Sequence, residues 1–209
     1  MTSINSAIAI LLTLSLIYCG EDSDEPTRTT AGNAAPDFTL VDSRGTEHKL
    51  SDYKGKFVVL EWINFDCPYV RKHYESGNMQ SLQKEFTQKG VVWLAINSSA
   101  EGKQGHFSRD EIQRRSEEHG ANFTAYLLDE KGTVGRSYGA KATPHMYIIN
   151  PEGTLIYSGA IDDKPTSNLK DIEGATNYVR QALNAAMNGK PVEKSRTRAY
   201  GCAVKYSDG

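Results

Sequence analysis

The sequence predicts an α/β fold with a central mixed β-sheet flanked by helices. Two apolar segments, residues 57–65 and 91–97, have the length and the β-branched content of strands that are buried on both faces of a sheet. The residues between them, 69–89, favour a helix with its apolar side chains at helical spacing. This order of strand, helix and strand predicts a parallel, right-handed crossover.

The other elements complete one domain over residues 35–190. Alternating apolar residues around the turn at Gly45 predict an N-terminal β-hairpin extension that returns through His48 and Leu50. The remaining prediction consists of a helix at 109–119, a strand at 125–128, a short helix at 134–138, a strand from 142 to 150, its antiparallel partner at 155–159 and a final helix over 172–186. Residues 191–209 form a C-terminal tail.

Composition narrows the classes of function. The chain has 24 Lys and Arg residues against 26 Asp and Glu residues, so no excess of charge indicates binding to nucleic acid. Cysteines stand only at positions 19, 67 and 202. This number does not describe a small disulfide-stapled domain and leaves redox or lipid chemistry. No cofactor is predicted, and the oligomeric state stays open.

The first 34 residues are predicted to precede the domain. Residues 4–18 are almost wholly apolar and have the length of an export-signal core rather than of a membrane-spanning helix, although no Lys or Arg precedes them. Cys19 then resembles the lipidated cysteine of a bacterial lipoprotein signal, except that Tyr18 replaces the usual small residue. Lipidation, simple cleavage (an export signal over residues 1–19) and an uncleaved anchor are the alternatives. Residues 20–34 are acidic and polar, which predicts a flexible tether or a frayed terminus, and places the domain in the cell envelope.

Cys67 is the candidate nucleophile. It directly follows the first buried strand, and Pro68 suits the first turn of a helix. Cys67 is therefore expected at a helix N-terminus, where unpaired amides and the helix dipole stabilise a thiolate, with Arg71 and Lys72 adding positive charge nearby. The alternative is a buried, inert cysteine.

A family resemblance rests on this order of elements, with Cys67-Pro68 after the first central strand and Thr143-Pro144 opening a later one. The chain resembles the thioredoxin-like fold and, over about residues 34–206, the exported redoxins of the alkyl hydroperoxide reductase and thiol-specific antioxidant superfamily. It is most similar to a peroxiredoxin-like subgroup with Cys-Pro-Tyr-Val at the active site, here residues 67–70, and a Gly-Cys-x-x-Lys-aromatic ending, here residues 201–206.

The resemblance implies roles for four residues. Cys67 matches the nucleophile, and Pro144 matches a cis-proline that packs against it. Thr143 would lend backbone groups to an extended substrate. Glu61 matches a buried acid that exchanges a proton with the second thiol, the alternative being a surface glutamate at a strand edge.

Two departures separate the chain from its parent chemistries. Val70 stands where dithiol oxidoreductases have their second cysteine, so a disulfide within the motif cannot form. Leu60 and Asn64 stand where peroxiredoxins have a proline and the threonine that activates peroxide. Neither parent chemistry therefore carries over unaltered.

Cys202 is the candidate partner of Cys67. The tail alternates apolar residues through Tyr200, Cys202 and Val204, which predicts an edge strand or a packed extension. A tail docked near Cys67 would let Cys202 attack a sulfenic acid or a mixed disulfide and resolve it as a disulfide. The alternatives are a structural disulfide and a free thiol.

No metal site is predicted. Cys67 and His73 are six residues apart and fall on different sides of a helix, and no second cysteine lies near Cys67 to complete a metal site. His145 follows Pro144 in a loop expected to face the active cysteine, whereas the other histidines are expected at the surface.

Two hypotheses for the function follow. The first is an exported enzyme, a thiol-disulfide oxidoreductase or thiol peroxidase acting on protein thiols and disulfides or on small hydroperoxides. The second is a non-catalytic lipoprotein of redoxin fold with a binding or scaffold role, in which Cys67 is vestigial or part of a structural disulfide.

Overall fold

The computed structural model describes residues 31–207, and the predicted export signal and most of the predicted tether lie outside this range. The strands are β1 Thr39–Asp42, β2 Glu47–Lys49, β3 Val58–Trp62, β4 Val92–Asn97, β5 Ala125–Leu128, β6 Ala142–Thr143, β7 His145–Ile149, β8 Leu155–Gly159 and β9 Cys202–Ala203. The helices are α1 Pro68–Glu75, α2 Asn78–Thr87, α3 Arg109–Glu118, α4 Thr133–Tyr138 and α5 Tyr178–Met187, with 3₁₀ turns at Leu50–Tyr53 and Leu169–Ile172.

Seven strands form one mixed sheet in the order β2-β1-β5-β4-β3-β7-β8. The central pairs β3–β4 and β4–β5 are parallel, whereas β7 lies antiparallel to β3 and to β8. The N-terminal hairpin pairs Leu40 with His48 and adds the last two strands to the β5 side of the sheet. The predicted mixed α/β architecture is confirmed.

Both faces of β3 are covered. Val59 packs in a cluster with Met79 and Leu82 of α2, while Leu60 and Trp62 pack on the other face with side chains of α4. Burial on both faces explains why this strand has no polar alternation. β3 lies between β4 and β7 inside the sheet. Cys67, five residues after the end of β3, therefore lies near the end of a central strand.

The structure corrects two predicted helices. The single helix expected over 69–89 is divided at Gly77, whose φ of +74° lies in the left-handed region that favours glycine. The final helix begins only at Tyr178, because the Asn177 side chain accepts a hydrogen bond from the Arg180 amide and caps the helix there. Ile172 belongs to a 3₁₀ turn instead.

Both ends of the described chain are attached to the sheet. Hydrogen bonds between residues 32–35 and residues 153–155 show that the folded domain begins before residue 35, inside the stretch predicted as tether. At the other end, Arg196 forms a parallel bridge with Ser158, and β9 pairs with β6. No helix within residues 31–207 has the length and apolar character needed to cross a bilayer.

Candidate active site

Cys67 lies at the N-terminus of α1, as predicted from Pro68, which occupies the first turn of this helix. Its side chain is fully buried, and the Sγ donates a hydrogen bond to the Thr143 carbonyl oxygen at 3.0 Å. The loop before it is held by Asn64, which accepts from the Cys67 amide through its carbonyl oxygen and from the Asp66 amide through its side chain. Backbone carbonyl groups of Asn64 and Thr143 therefore fix the position of the Cys67 amide and of its thiol.

The peptide bond between Thr143 and Pro144 is cis. Thr143 belongs to β6, which pairs antiparallel with the tail strand β9, so that Thr143 lies opposite Cys202 and Ala142 opposite Ala203. The second cysteine is thus delivered to the segment that already contacts the first. Both cysteines are free thiols in this structure.

Cys202 is influenced by burial and by the neighbouring Cys67 side chain. Burial, with a smaller contribution from Cys67, raises the pKa of Cys202 to about 12, whereas Lys205 opposes the rise. Cys202 therefore keeps its proton at neutral pH while Cys67 is reduced.

Gly201 allows the tail to approach β6 closely. Its φ is +136°, and a Cβ at this position would lie 2.0 Å from the Thr143 carbonyl oxygen and 2.7 Å from its carbonyl carbon. Real Cβ atoms do not approach backbone this closely, so only glycine fits. The glycine that precedes Cys202 is thus required by the docking of the tail.

Glu61 is fully buried in β3, so the alternative of a surface glutamate is wrong. Its carboxylate accepts hydrogen bonds from three side chains, Trp93 Nε1 at 2.8 Å, Gln83 Nε2 at 3.0 Å and the Tyr74 hydroxyl at 3.2 Å. Burial raises the pKa of Glu61 to about 7, and these donors limit the rise. Glu61 is connected to α1 through Tyr74, and its hydrogen bonds within residues 31–207 do not reach either thiol.

Asn64, which the resemblance aligned with the peroxide-activating threonine, uses its side chain for hydrogen bonds to the surrounding loops. Besides accepting from Asp66, its side-chain amide donates to the Gln104 carbonyl oxygen at 3.5 Å. A Cβ on Gly105 would lie 2.3 Å from the Asn64 Nδ2, so the neighbouring loop packs closely over this side chain. The hydrogen bonds of Asn64 are therefore used to shape the chain around Cys67.

A buried polar cluster, which the sequence did not predict, lies between α1 and the tail. Its members are Lys72, His73, Asp162 and Tyr200, and we call it the Asp162 cluster. Lys72 was expected to add charge near Cys67, but its Nζ lies 3.8 Å from the Asp162 carboxylate, and Arg71 is paired with Glu75 at the surface. His73 was expected at the surface and is fully buried. No local pattern indicates that Asp162, 90 positions away, faces Lys72.

The two histidines considered as metal ligands have other partners. Burial lowers the pKa of His73 to about 3 and that of His145 to about 4, so both rings are neutral at pH 7. His145 Nδ1 accepts from the Lys141 amide and lies 3.2 Å from the Tyr147 hydroxyl. Within residues 31–207 no three His, Cys, Asp or Glu side chains are grouped to hold a metal ion.

The fold and this site define a thioredoxin-like redoxin. The chain belongs to the AhpC/TSA family, which matches residues 31–158. A thiol-disulfide oxidoreductase ResA of Geobacillus kaustophilus is 30% identical over 131 residues, which is 63% of this chain and 70% of that relative.

Solved structures share the fold of this chain. An uncharacterized conserved protein from Geobacillus kaustophilus has a TM-score of 0.76 and 29% identity, covering 88% of this chain and 95% of that one. The thioredoxin domain of a thiol-disulfide oxidoreductase from Bacteroides vulgatus has a TM-score of 0.50 and 22% identity, covering 69% of this chain and 96% of that one, and shows the fold alone. The predicted thioredoxin-like fold is confirmed.

Proposed function

We propose that this protein is a thiol-disulfide oxidoreductase in which Cys67 is the nucleophile and Cys202 is the resolving cysteine. The observation that carries the proposal is the pairing of β9 with β6, which places Cys202 opposite Thr143 while Thr143 accepts a hydrogen bond from Cys67. The helix has Val70 in place of a second cysteine, and in this proposal the tail supplies the second thiol instead. The family relationship and the ResA relative support the same chemistry.

The reaction consists of two exchanges at sulfur. The Cys67 thiolate attacks one sulfur of a substrate disulfide, the substrate S–S bond breaks, and the first substrate thiolate leaves and takes up a proton. Cys202 then gives up its proton to solvent and attacks the Cys67 sulfur as a thiolate, the mixed disulfide breaks, and the second substrate thiolate leaves and takes up a proton. The substrate disulfide is reduced to two thiols, and the Cys67–Cys202 dithiol is oxidised to a disulfide that an external dithiol must reduce.

Three further residues support these steps in the proposal. The Thr143 carbonyl oxygen orients the Cys67 thiol, and Pro144 fixes the path of the backbone there. Glu61, with a pKa of about 7, can take up or release a proton near neutral pH. Because its carboxylate contacts Tyr74 of α1 and neither thiol, Glu61 acts as a positioning residue for the Cys67 helix.

The test is a trapping experiment with a protein disulfide as substrate. A Cys202→Ser variant of the full chain should accumulate a mixed disulfide between Cys67 and the substrate, because the resolving thiol is absent. Wild type should release reduced substrate, and the matched Cys67→Ser variant should do neither. Peptide mapping by mass identifies the linked cysteine and separates Cys19 from the two candidate thiols.

The outcomes distinguish the alternatives. A Cys202→Ser variant that forms no adduct contradicts the proposal and favours a non-catalytic role. The same mapping after a small hydroperoxide tests peroxidase-like activity, which requires a sulfenic acid at Cys67 that Cys202 converts to a disulfide with loss of water. Asn64 stands in place of the threonine that activates peroxide, and its side chain is used in the loop. We therefore expect Cys67 to react slowly with hydroperoxide.

We also propose that the domain, with its C-terminal tail, is exported to the bacterial cell envelope. This proposal is supported by the apolar run at 4–18 followed by Cys19. Cell fractionation should find the full chain outside the cytoplasm, and mass analysis of its N-terminus should show lipidation at Cys19 or cleavage nearby. Recovery of the intact, unmodified chain from the cytoplasm would contradict it.

A further inference from the structure

The Asp162 cluster joins the helix of Cys67 to the tail of Cys202. The Tyr200 hydroxyl donates to Asp162 Oδ1, which also accepts from the Lys164 amide at 3.0 Å. The Asp162 side chain is 1% exposed, and its Oδ2 has no hydrogen-bond partner within residues 31–207, although Lys72 Nζ lies 3.8 Å away. Lys72 Nζ in turn donates to the Lys164 carbonyl oxygen at 2.8 Å.

His73 completes the contacts of the Tyr200 hydroxyl. The Nδ1 of this ring lies 2.9 Å from the Asn78 side-chain amide, which donates to it, so the proton is on Nε2. Nε2 lies 3.2 Å from the Tyr200 oxygen and donates to it. Tyr200 therefore accepts from α1 and donates to Asp162 with one hydroxyl group.

The aromatic ring of Tyr200 is also held by α1. It meets the Tyr69 ring edge to face at a centroid distance of 5.9 Å, and Lys72 Nζ lies 5.6 Å from its centroid. Tyr69 follows Cys67 by two positions, and Tyr200 precedes Cys202 by two positions. On the other side of Cys202 the tail is anchored away from α1, where Tyr206 donates to the Ala140 carbonyl oxygen.

We infer that Tyr200 is a positioning residue that holds Cys202 within reach of Cys67 during resolution. The inference rests on the proposed function, since it concerns the second of the two exchanges. A carboxylate buried with one unpartnered oxygen has few ways to recover a lost hydrogen bond. Lys72, His73 and Asp162 belong to the domain, and only Tyr200 belongs to the tail. The hydrogen bonds of the cluster therefore stabilise the docked position of the tail.

The test uses a small aromatic disulfide, 5,5′-dithiobis(2-nitrobenzoate), which releases a coloured thiolate at each exchange. Attack by Cys67 depends on reagent concentration, whereas attack by Cys202 on the resulting adduct is intramolecular and does not. With less than one equivalent of reagent, the second release measures resolution alone. Peptide mapping confirms that the product is the Cys67–Cys202 disulfide and assigns any reaction at Cys19.

Tyr200→Phe should leave the first release unchanged within about twofold and slow the second about tenfold, as expected when a hydrogen bond to a buried charged group is lost. Tyr53→Phe is the matched control, because the Tyr53 hydroxyl also contacts a histidine, His48, in the N-terminal hairpin at the other edge of the sheet. It should leave both releases unchanged.

The results distinguish failure of the proposed function from failure of the positioning role of Tyr200. A wild-type protein without the intramolecular release contradicts the proposed function itself. A wild-type release that Tyr200→Phe leaves unchanged overturns the positioning role alone. An equal loss in Tyr53→Phe would also overturn it, since the effect would then be general destabilisation.

Discussion

Gly201→Ala is expected to slow formation of the Cys67–Cys202 disulfide on the order of a hundredfold while the domain stays folded. The added Cβ would lie 2.0 Å from the Thr143 carbonyl oxygen and would meet backbone, which cannot move aside as a flexible side chain can. The φ of +136° adds strain for any residue with a Cβ. A few kcal/mol of strain corresponds to this loss of the docked state.

The matched control is Gly189→Ala. Gly189 also has a positive φ, +67°, but a Cβ there would meet no atom within 4 Å. It should therefore show backbone strain without loss of tail docking. Quenched alkylation with mass mapping measures disulfide formation in both variants, and a wild-type rate in Gly201→Ala would show that resolution does not use the β6–β9 pairing.

Glu61→Gln is expected to remove a pH dependence of stability worth about 3 kcal/mol. Burial raises the pKa of Glu61 from 4.5 to about 7 in the folded protein, so between these values the native carboxyl holds a proton that the unfolded chain has released. The unfolding free energy of wild type should therefore lose this contribution as the pH rises from about 4.5 to 7, and the loss should level off above pH 7.

The difference between wild type and variant isolates this effect. His73 and His145, whose pKa values burial lowers, act with the opposite sign, because their contribution is lost as the pH falls below about 6.5. Both histidines are present in both proteins and cancel in the difference. Urea unfolding from pH 4.5 to 8 gives the two curves, with Glu152→Gln as a control for net charge. Parallel curves for wild type and Glu61→Gln would contradict the assigned pKa.

The sequence predicted the parts of the site that depend on neighbours in the chain. An apolar strand followed by Cys67 and Pro68 specifies a cysteine at a helix N-terminus, because proline without an amide hydrogen suits the first turn. The cis bond at Pro144 came from the family resemblance. The alternation around Cys202 predicted a strand but not its partner, since two paired residues are too few to specify a register.

The parts that were missed depend on residues far apart in the sequence. Lys72 and Asp162 are separated by 90 positions, and the packing of the tail adds Tyr200, whose hydroxyl donates to Asp162. Glu61 was matched to a buried acid by the family resemblance, but its burial among donors from α1, α2 and β4 could be seen only in the folded sheet. A glutamate in an apolar strand is ambiguous until its partners are known.

The position of the second thiol explains the departure at Val70. Val70 is fully buried in the apolar cluster that also contains Cys67, so this position contributes to packing rather than to chemistry. Cys202 reaches Thr143 from a tail strand instead, and the tail is held at Tyr200 on one side and Tyr206 on the other. In the proposed function, resolution by Cys202 therefore depends on the docking of the tail, which a disulfide within a helical turn would not require.

A redox titration of the full chain tests the central claim most directly. The reduced protein is equilibrated in buffers with increasing ratios of oxidised to reduced dithiothreitol or glutathione, quenched by alkylation, and mapped by mass. The account predicts one reversible two-electron transition in which Cys67 and Cys202 become linked together with the loss of two hydrogens. A Cys67 that stays reduced or forms only separate adducts would contradict it. A Cys67–Cys202 disulfide that dithiothreitol does not reduce in the folded protein would contradict it as well.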